Sequence, residues 1–166
     1  MCGIAGILST SKYQENLEIL MQRMQTALQH RGPDDQGIYI SQNRQVAFAH
    51  TRLSILDLSS AGHQPMSTEN ERYWIIFNGE IYNFRELRHN LESQGVIFDS
   101  QTDTEVILKL YQQKGVHCVH DLRGMFALIS HLLLLDNTLC VVYLCSMLVF
   151  CLSLRIFVVL GILSTI

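Results

Sequence analysis

The spacing of apolar residues changes several times along the chain, and each change marks an element. Residues 3–9 are small and apolar before the polar stretch that follows, which predicts a short buried strand. Tyr13, Leu17, Leu20, Met24 and Leu28 recur at steps of four and three, the spacing of one face of a helix that runs to about Gln29. His30-Arg31-Gly32-Pro33-Asp34-Asp35 then breaks the pattern, Gly and Pro together marking a loop. Alternating runs at 37–41 and 46–53, separated by the polar Gln42-Asn43-Arg44-Gln45, predict a hairpin. A polar connection over 59–72 leads to a strand at 73–77. Asn83 with Glu86 predicts a helix cap, with Phe84, Leu87 and Leu91 facing inward. Thr102 with Glu105 predicts a capping box, with Val106, Ile107, Leu110 and Tyr111 as the apolar stripe. Strands mix with two or three helices and do not alternate regularly with them. The pattern therefore predicts an α+β fold on antiparallel sheet.

The patterning stops at residue 127. Residues 1–127 hold 25 of the 27 charged side chains, and 128–166 hold only Asp136 and Arg155. In that last segment 28 of 39 residues are apolar, including Cys140, Cys145 and Cys151. The chain of 166 residues suffices for one domain with its own core. A net charge of −3 supplies no basic field for nucleic acid. Five cysteines, three of them in the apolar run, do not form the framework of a small secreted domain. The start lacks the basic leader of a secretory signal, so the chain reads as intracellular and cytoplasmic.

Candidate chemistry begins at Cys2. If Met1 is removed, Cys2 carries a free α-amine beside its thiol, and an amine titrating near ~8 can take the thiol proton directly or through water. The bland alternative is a small buried apolar residue. In Asn78-Gly79-Glu80 a backbone N–H and a side-chain amide could stabilise an oxyanion, the alternative being an Asn-Gly turn. Arg52, at a strand end, could clamp a carboxylate or be a surface arginine; Asp103 could bind an ammonium or simply favour the helix's positive end. His117, Cys118 and His120 match no metal-ligand spacing and read as structural. Neither GxGxxG nor GxxxxGK[ST] occurs, so no nucleotide-binding loop is expected.

Six segments in order carry a resemblance: Met1-Cys2-Gly3-Ile4-Ala5-Gly6, His30-Arg31-Gly32-Pro33-Asp34, Arg52-Leu53-Ser54-Ile55, Gly62-His63-Gln64-Pro65-Met66, Asn78-Gly79-Glu80-Ile81-Tyr82-Asn83 and Leu122-Arg123-Gly124-Met125-Phe126-Ala127. Over residues 1–127 the chain resembles the amino-terminal glutaminase domain of glutamine-hydrolysing asparagine synthetases, a class II glutamine amidotransferase. The resemblance implies an N-terminal-nucleophile hydrolase fold, a four-layer αββα sandwich of antiparallel sheets, incomplete at the C-terminus. It implies that Cys2 attacks the side-chain amide of L-glutamine and that Asn78 and the Gly79 N–H form the oxyanion hole. Arg52 would hold the substrate carboxylate, with Leu53, Ser54, Ile55 and Leu56 lining the site, and Glu80 and Asp103 would bind the α-ammonium. No cofactor or metal is implied for this chain. ATP and magnesium are expected only for the absent synthetase domain, a potential partner that amidates aspartate.

The family's further strands do not follow residue 127. Residues 128–166 read as an apolar tail, with a frameshift preferred over a membrane segment, although the uncharged run of 17 residues at 138–154 approaches the ~20 that span a bilayer. Such a tail cannot alternate inward and outward faces and is expected to add no ordered strand. The rival reading of the whole chain is a noncatalytic glutamine-binding or membrane-tethered interaction module.

Overall fold

The computed structural model describes residues 2–9, 12–13, 16–133, 138–144 and 156–160, with side chains described up to residue 130. Two antiparallel sheets form its middle. In the first the strand order is β2-β3-β1-β8, with β1 at Gly3–Leu8, β2 at Asp35–Ile40, β3 at Val46–Arg52 and β8 at Ile156–Leu160. In the second it is β4-β5-β6-β7, with β4 at Met66–Ser67, β5 at Tyr73–Ile81, β6 at Gly124–Leu133 and β7 at Thr138–Leu144. The helices are α1 at Leu17–Leu28, α2 at Phe84–Ser93 and α3 at Asp103–Lys114.

Side-chain alternation builds the layers. Ala5, Ile7, Ala47 and Ala49 meet Leu17, Met21 and Leu28 of α1. Their neighbours Ile4, Val46 and Phe48 point the other way and pack against Ile76, Ala127 and Ile129 of the second sheet. Ile75, Phe77, Ile81, Phe126 and Leu128 then face the apolar stripes of α2 and α3. Helix, sheet, sheet and helix pair thus stack as the resemblance implies. At one end of the inter-sheet core Tyr39 stacks on Trp74 with ring centroids 4.0 Å apart. Toward the other end the same strand faces carry His50 and Arg52 on β3 and Asn78 and Glu80 on β5. Burying Phe48 or Ile76 stabilises by ~1.5–3 kcal/mol each; a buried polar group left unpaired costs ~1–3 kcal/mol. The polar end is therefore a real cost, and it is where the site lies.

Several boundaries differ from those the pattern predicts. The first helix begins at Leu17, because Asn16 Oδ1 accepts the Ile19 N–H and stops the helix there; Tyr13 packs on the same core from outside it. Strand β5 continues to Ile81, so Asn78-Gly79 lies inside a strand paired with Ala127 and Phe126 and makes no hairpin turn. Asn83 does not cap α2 with its side chain, which instead donates to the Asp121 carbonyl and accepts from the Arg123 N–H. Thr102 caps α3 through the Glu105 N–H, but the Glu105 carboxylate turns to the N–H groups of Asp99 and Ser100. The expectation that the tail adds no ordered strand is corrected at two segments. Strand β7 pairs with β6, and β8 with β1. Ladder hydrogen bonds come from the backbone, so the pairing does not depend on an alternating side-chain pattern. No helix among the described residues is long and apolar enough to cross a membrane.

Candidate active site

Four element ends converge on one cavity of about 190 Å³: the start of β1, the end of β3, the end of β5 and the start of α3. It is lined by Cys2, Arg52, Leu53, Ile55, Leu56, Asn78, Gly79, Glu80 and Asp103, together with residues the sequence did not single out, among them Asp57, Gln64, Thr102 and Thr104. At ~30 Å³ per water the space equals roughly six waters. That is below the ~300–1,000 Å³ of drug-sized pockets and suits one small molecule. Of the ten predicted site residues only Ser54 lies elsewhere. Its N–H is taken by Asp34 Oδ2, and it lines an open neighbouring cleft that shares Arg52. A wider cleft between α2 and α3 contains none of the ten.

Cys2 is placed by its backbone neighbours. Arg31 Nε donates to the Cys2 carbonyl at 3.0 Å, and the next residue's N–H, that of Gly3, donates to Thr51 Oγ1 at 3.2 Å. The Leu53 N–H donates to Cys2 Sγ at 3.4 Å. Burial pushes the thiol pKa up, while the Leu53 hydrogen bond and the Arg52 charge oppose the rise. The resting sulfur is thus a thiol that needs a base to become a nucleophile.

Arg52 is buried and aimed by a turn. Its Nη1 donates to the Ser59 carbonyl at 2.8 Å and its Nη2 to the Asp57 carbonyl, leaving further N–H groups for the cavity. The turn is fixed by Asp57, whose carboxylate accepts from the Gln101 and Ser59 N–H groups. Those bonds hold its pKa down at about 2, and it stays an anion. The Asp57-x-Ser59 pattern is an Asx-turn signal that could have been found in the sequence. Gly62 is needed beneath the guanidinium, since a Cβ there would sit 2.0 Å from Arg52 Nη2.

Strand β5 presents the donors. Odd residues from Tyr73 onward turn their backbone groups away from β6: the Tyr73 carbonyl accepts from Thr68, the Phe77 N–H donates to Gln64 Oε1 at 2.7 Å and the Ile81 N–H to Asp103 Oδ2 at 3.1 Å. Even Tyr82 donates toward β6, to the Arg123 carbonyl. By this alternation the Gly79 N–H points to the same open edge as those of Phe77 and Ile81, and it meets no acceptor among the described residues. A Cβ at Gly79 would lie 2.4 Å from the Met125 carbonyl oxygen, so only glycine lets β6 approach here. The Asn78 side chain is buried and makes no hydrogen bond among the described residues, its Oδ1 lying without a partner. Assignment of O and N at that amide follows from the chemistry of its neighbours. Asp103 is 5% exposed, and burial lifts its pKa to about 6 against its backbone hydrogen bonds, with the Glu80 charge adding to the rise.

The residues set aside as structural stay away from the cavity. Cys118 packs in the core beneath α2 and α3, where burial pushes its thiol to about 11. The His117 and His120 rings stack on each other, and no group of three or more His, Cys, Asp or Glu among the described residues could hold a metal.

The cavity sets Cys2, just before β1, beside the Asn78 amide and the Gly79 N–H of β5, on a fold that is already known. Glutamine phosphoribosylpyrophosphate amidotransferase from B. subtilis, solved with ADP and GMP, superposes with a TM-score of 0.66 at 22% identity, covering 79% of this chain and 35% of that one. The glutamine amidotransferase domain family matches residues 1–136, and the chain belongs to it. Asparagine synthetase [glutamine-hydrolyzing] 1 of Bacillus subtilis is 43% identical over 129 residues, or 76% of this chain. Asparagine synthetase B [glutamine-hydrolyzing] of Escherichia coli is 40% identical over 127 residues, again 76%. The chain spans only about a fifth of these relatives' length, 20% and 22% respectively.

Proposed function

We propose that the cavity hydrolyses L-glutamine to L-glutamate and ammonia. The observation that carries this reading is the meeting of Cys2 with the Asn78 side-chain amide and the Gly79 N–H, neither of them hydrogen-bonded among the described residues, in a space that also holds one buried cation and one buried carboxylate. A free amino acid carries a charge of each sign at one end. Arg52 supplies the partner for its carboxylate, and Asp103 with Glu80 the partner for its ammonium. Bound so, the substrate's side-chain amide reaches toward Cys2.

The steps follow from those placements. With Met1 removed, the α-amine of Cys2 takes the thiol proton and the thiolate attacks the amide carbon. Negative charge moves to the amide oxygen, where Gly79 N–H and Asn78 Nδ2 receive it. Collapse expels the nitrogen as ammonia, protonated by the amine that held the proton, and leaves a thioester. Water, activated by the same amine, attacks the thioester; the second oxyanion uses the same donors, and glutamate leaves with the thiol restored. The reaction uses no cofactor. ATP and magnesium belong to a synthetase partner in which the ammonia amidates aspartate. The described residues that line the cavity fall within 1–127, the proposed catalytic unit. A cytoplasmic setting suits a thiol that must stay reduced.

The test is labelling. A glutamine-analogue electrophile added to the folded chain should modify Cys2 in preference to the other four cysteines, mass spectrometry should show Met1 lost, and glutamate should be released from glutamine. Modification at Cys118 with Cys2 untouched would reject the assignment. Glutamine binding without glutamate release would favour the noncatalytic module.

A further inference from the structure

Phe77 takes no part in the proposed chemistry, yet the two peptide groups that flank its Cα are each held by a buried polar side chain of another element. Its N–H donates to Gln64 Oε1 at 2.7 Å, and His50 Nε2 lies 3.2 Å from its carbonyl oxygen. Gln64 is 5% and His50 1% exposed. Each is anchored: Gln64 Nε2 donates to Thr104 Oγ1 at 3.1 Å, and the His50 carbonyl accepts from Gln25 Nε2 at 3.1 Å. A carbonyl only accepts, so the imidazole carries its proton on Nε2, and Nδ1 has no partner among the described residues.

This matters because, on the edge of β5 away from β6, no strand among the described residues neighbours the part that lines the cavity. Strand β4 pairs with it only at Trp74 and Ile75. Beyond Ile75 that edge is open, and an unpaired edge has no ladder to fix its twist. We infer that His50 and Gln64 are positioning residues, a clamp on the two successive peptide groups flanking Phe77 that stands in for a strand on this edge and sets the aim of the Asn78 amide and the Gly79 N–H. The N–H groups of residues 77, 79 and 81 share one edge. Gln64 pins the first and Asp103 the third, and the middle one is left directed at the cavity. His50 also joins the two walls. It sits on β3 two residues before Arg52, and Leu53 beyond that holds the Cys2 sulfur, so one ring fixes the nucleophile's strand relative to the donors' strand.

The inference rests on the glutaminase reading for its kinetic consequence but not for its structural one, and the experiment separates them. In the full chain, His50→Leu and Gln64→Met remove the clamp's donor and acceptor, whereas His50→Gln and Gln64→Glu keep them. The apolar variants should lower kcat ~10- to 100-fold with KM for glutamine held within about twofold, the size of loss that misaimed groups produce. Hydrogen exchange at the Phe77 amide should quicken by about tenfold in Gln64→Met. The conservative variants should recover to within about threefold of the parent in both readouts. Unchanged Phe77 exchange, a rise in KM with kcat kept, or equal turnover in the apolar and conservative variants would each overturn the clamp. If His50→Leu does not melt cooperatively, the Gln64 pair decides by the same criteria. A parent chain that releases no glutamate, or a Cys2→Ala chain that still releases it, would reject the glutaminase reading; Phe77 exchange would still decide the clamp, quickening upholding it and constancy overturning it.

Discussion

On the β1–β3 wall of the cavity Cys2 and Arg52 are engaged and, behind them, only His50 Nδ1 lacks a partner among the described residues, while on the β5 wall the Asn78 amide and the Gly79 N–H stand bare. Cys2 Sγ has the Leu53 N–H, the Cys2 carbonyl has Arg31, and the Arg52 guanidinium has the Ser59 and Asp57 carbonyls. Opposite them, the Asn78 amide and the Gly79 N–H have nothing among the described residues. Both walls come from the same kind of element, antiparallel strand ends, so secondary structure does not explain the difference. Function does. A group that must hold a position is best satisfied in the resting protein, and a group that must receive charge during a reaction is best left waiting for it. Of the two bare groups only Asn78 is buried, and a bare buried polar group costs ~1–3 kcal/mol, a cost tolerated at sites and selected against elsewhere.

The sharpest way to break the comparison is to empty the first wall. Cys2→Ala should lower glutamate release by at least ~10⁴-fold, since no other group in the cavity can form the thioester; residual activity near the parent's in a kinetic assay would overturn the role. Next is the second wall. Asn78→Ala should lower kcat by ~10²- to 10³-fold with little change in KM. Because it removes an unsatisfied buried amide, its melting temperature should equal or exceed the parent's, measured by calorimetry. Arg52→Ala should do the reverse. It breaks placed hydrogen bonds, so melting should fall, and KM for glutamine should rise by the equivalent of ~1.5–3 kcal/mol with kcat largely kept. If both variants shift melting and KM in the same direction, the two walls do not differ in the way argued above.

How much of this can be read in the sequence divides along the same line. Cys2, Asn78-Gly79 and Arg52 are legible because their residue types suit the chemistry and their segments follow a known order; Asp103 lies outside those segments and is legible only from its charge in the first turn of a helix and from what the resemblance implies. The core faces were legible because Leu17, Met21 and Leu28, or Val106, Ile107 and Leu110, repeat at helical spacing. What holds the site was not. Gln64 and His50 act across 13 and 27 residues on the two peptide groups flanking Phe77, and nothing local to either announces Phe77 as its target. Asn78-Gly79 read as a turn candidate because two-residue turn chemistry and an open strand edge use the same residues; the register of β6 decides between them. Ser54 was grouped with the lining residues by adjacency, yet Asp34 draws its N–H into the neighbouring cleft.

The smallest expected effect comes from two buried ionisable groups, one on each wall, that oppose each other. Burial holds His50 down at about 4 against its ordinary 6.5, so across that window the unfolded chain binds the extra proton and stability rises with pH. Burial lifts Asp103 from 3.8 to about 6, so across that window the folded chain binds the extra proton and stability falls with pH. Between pH 4 and 6 the two slopes oppose, and the parent's melting temperature should vary little from this pair. Asp103→Asn should therefore unmask a melting temperature that climbs with pH from 4 to 6.5, and His50→Gln one that declines from pH 4 to 6. Asp57, held at about 2, adds its own loss only at lower pH. The pH dependence of KM should report Asp103, while kcat also follows the α-amine that serves as base. The Asp103 carboxylate must be ionised to hold an ammonium, so KM for glutamine should rise by about tenfold for each pH unit below 6, and Asp103→Asn should flatten that dependence at a uniformly high KM. Equal melting slopes in the parent and both variants would show that neither group is coupled to folding, and a KM that ignores pH in the parent would remove Asp103 from the substrate's ammonium.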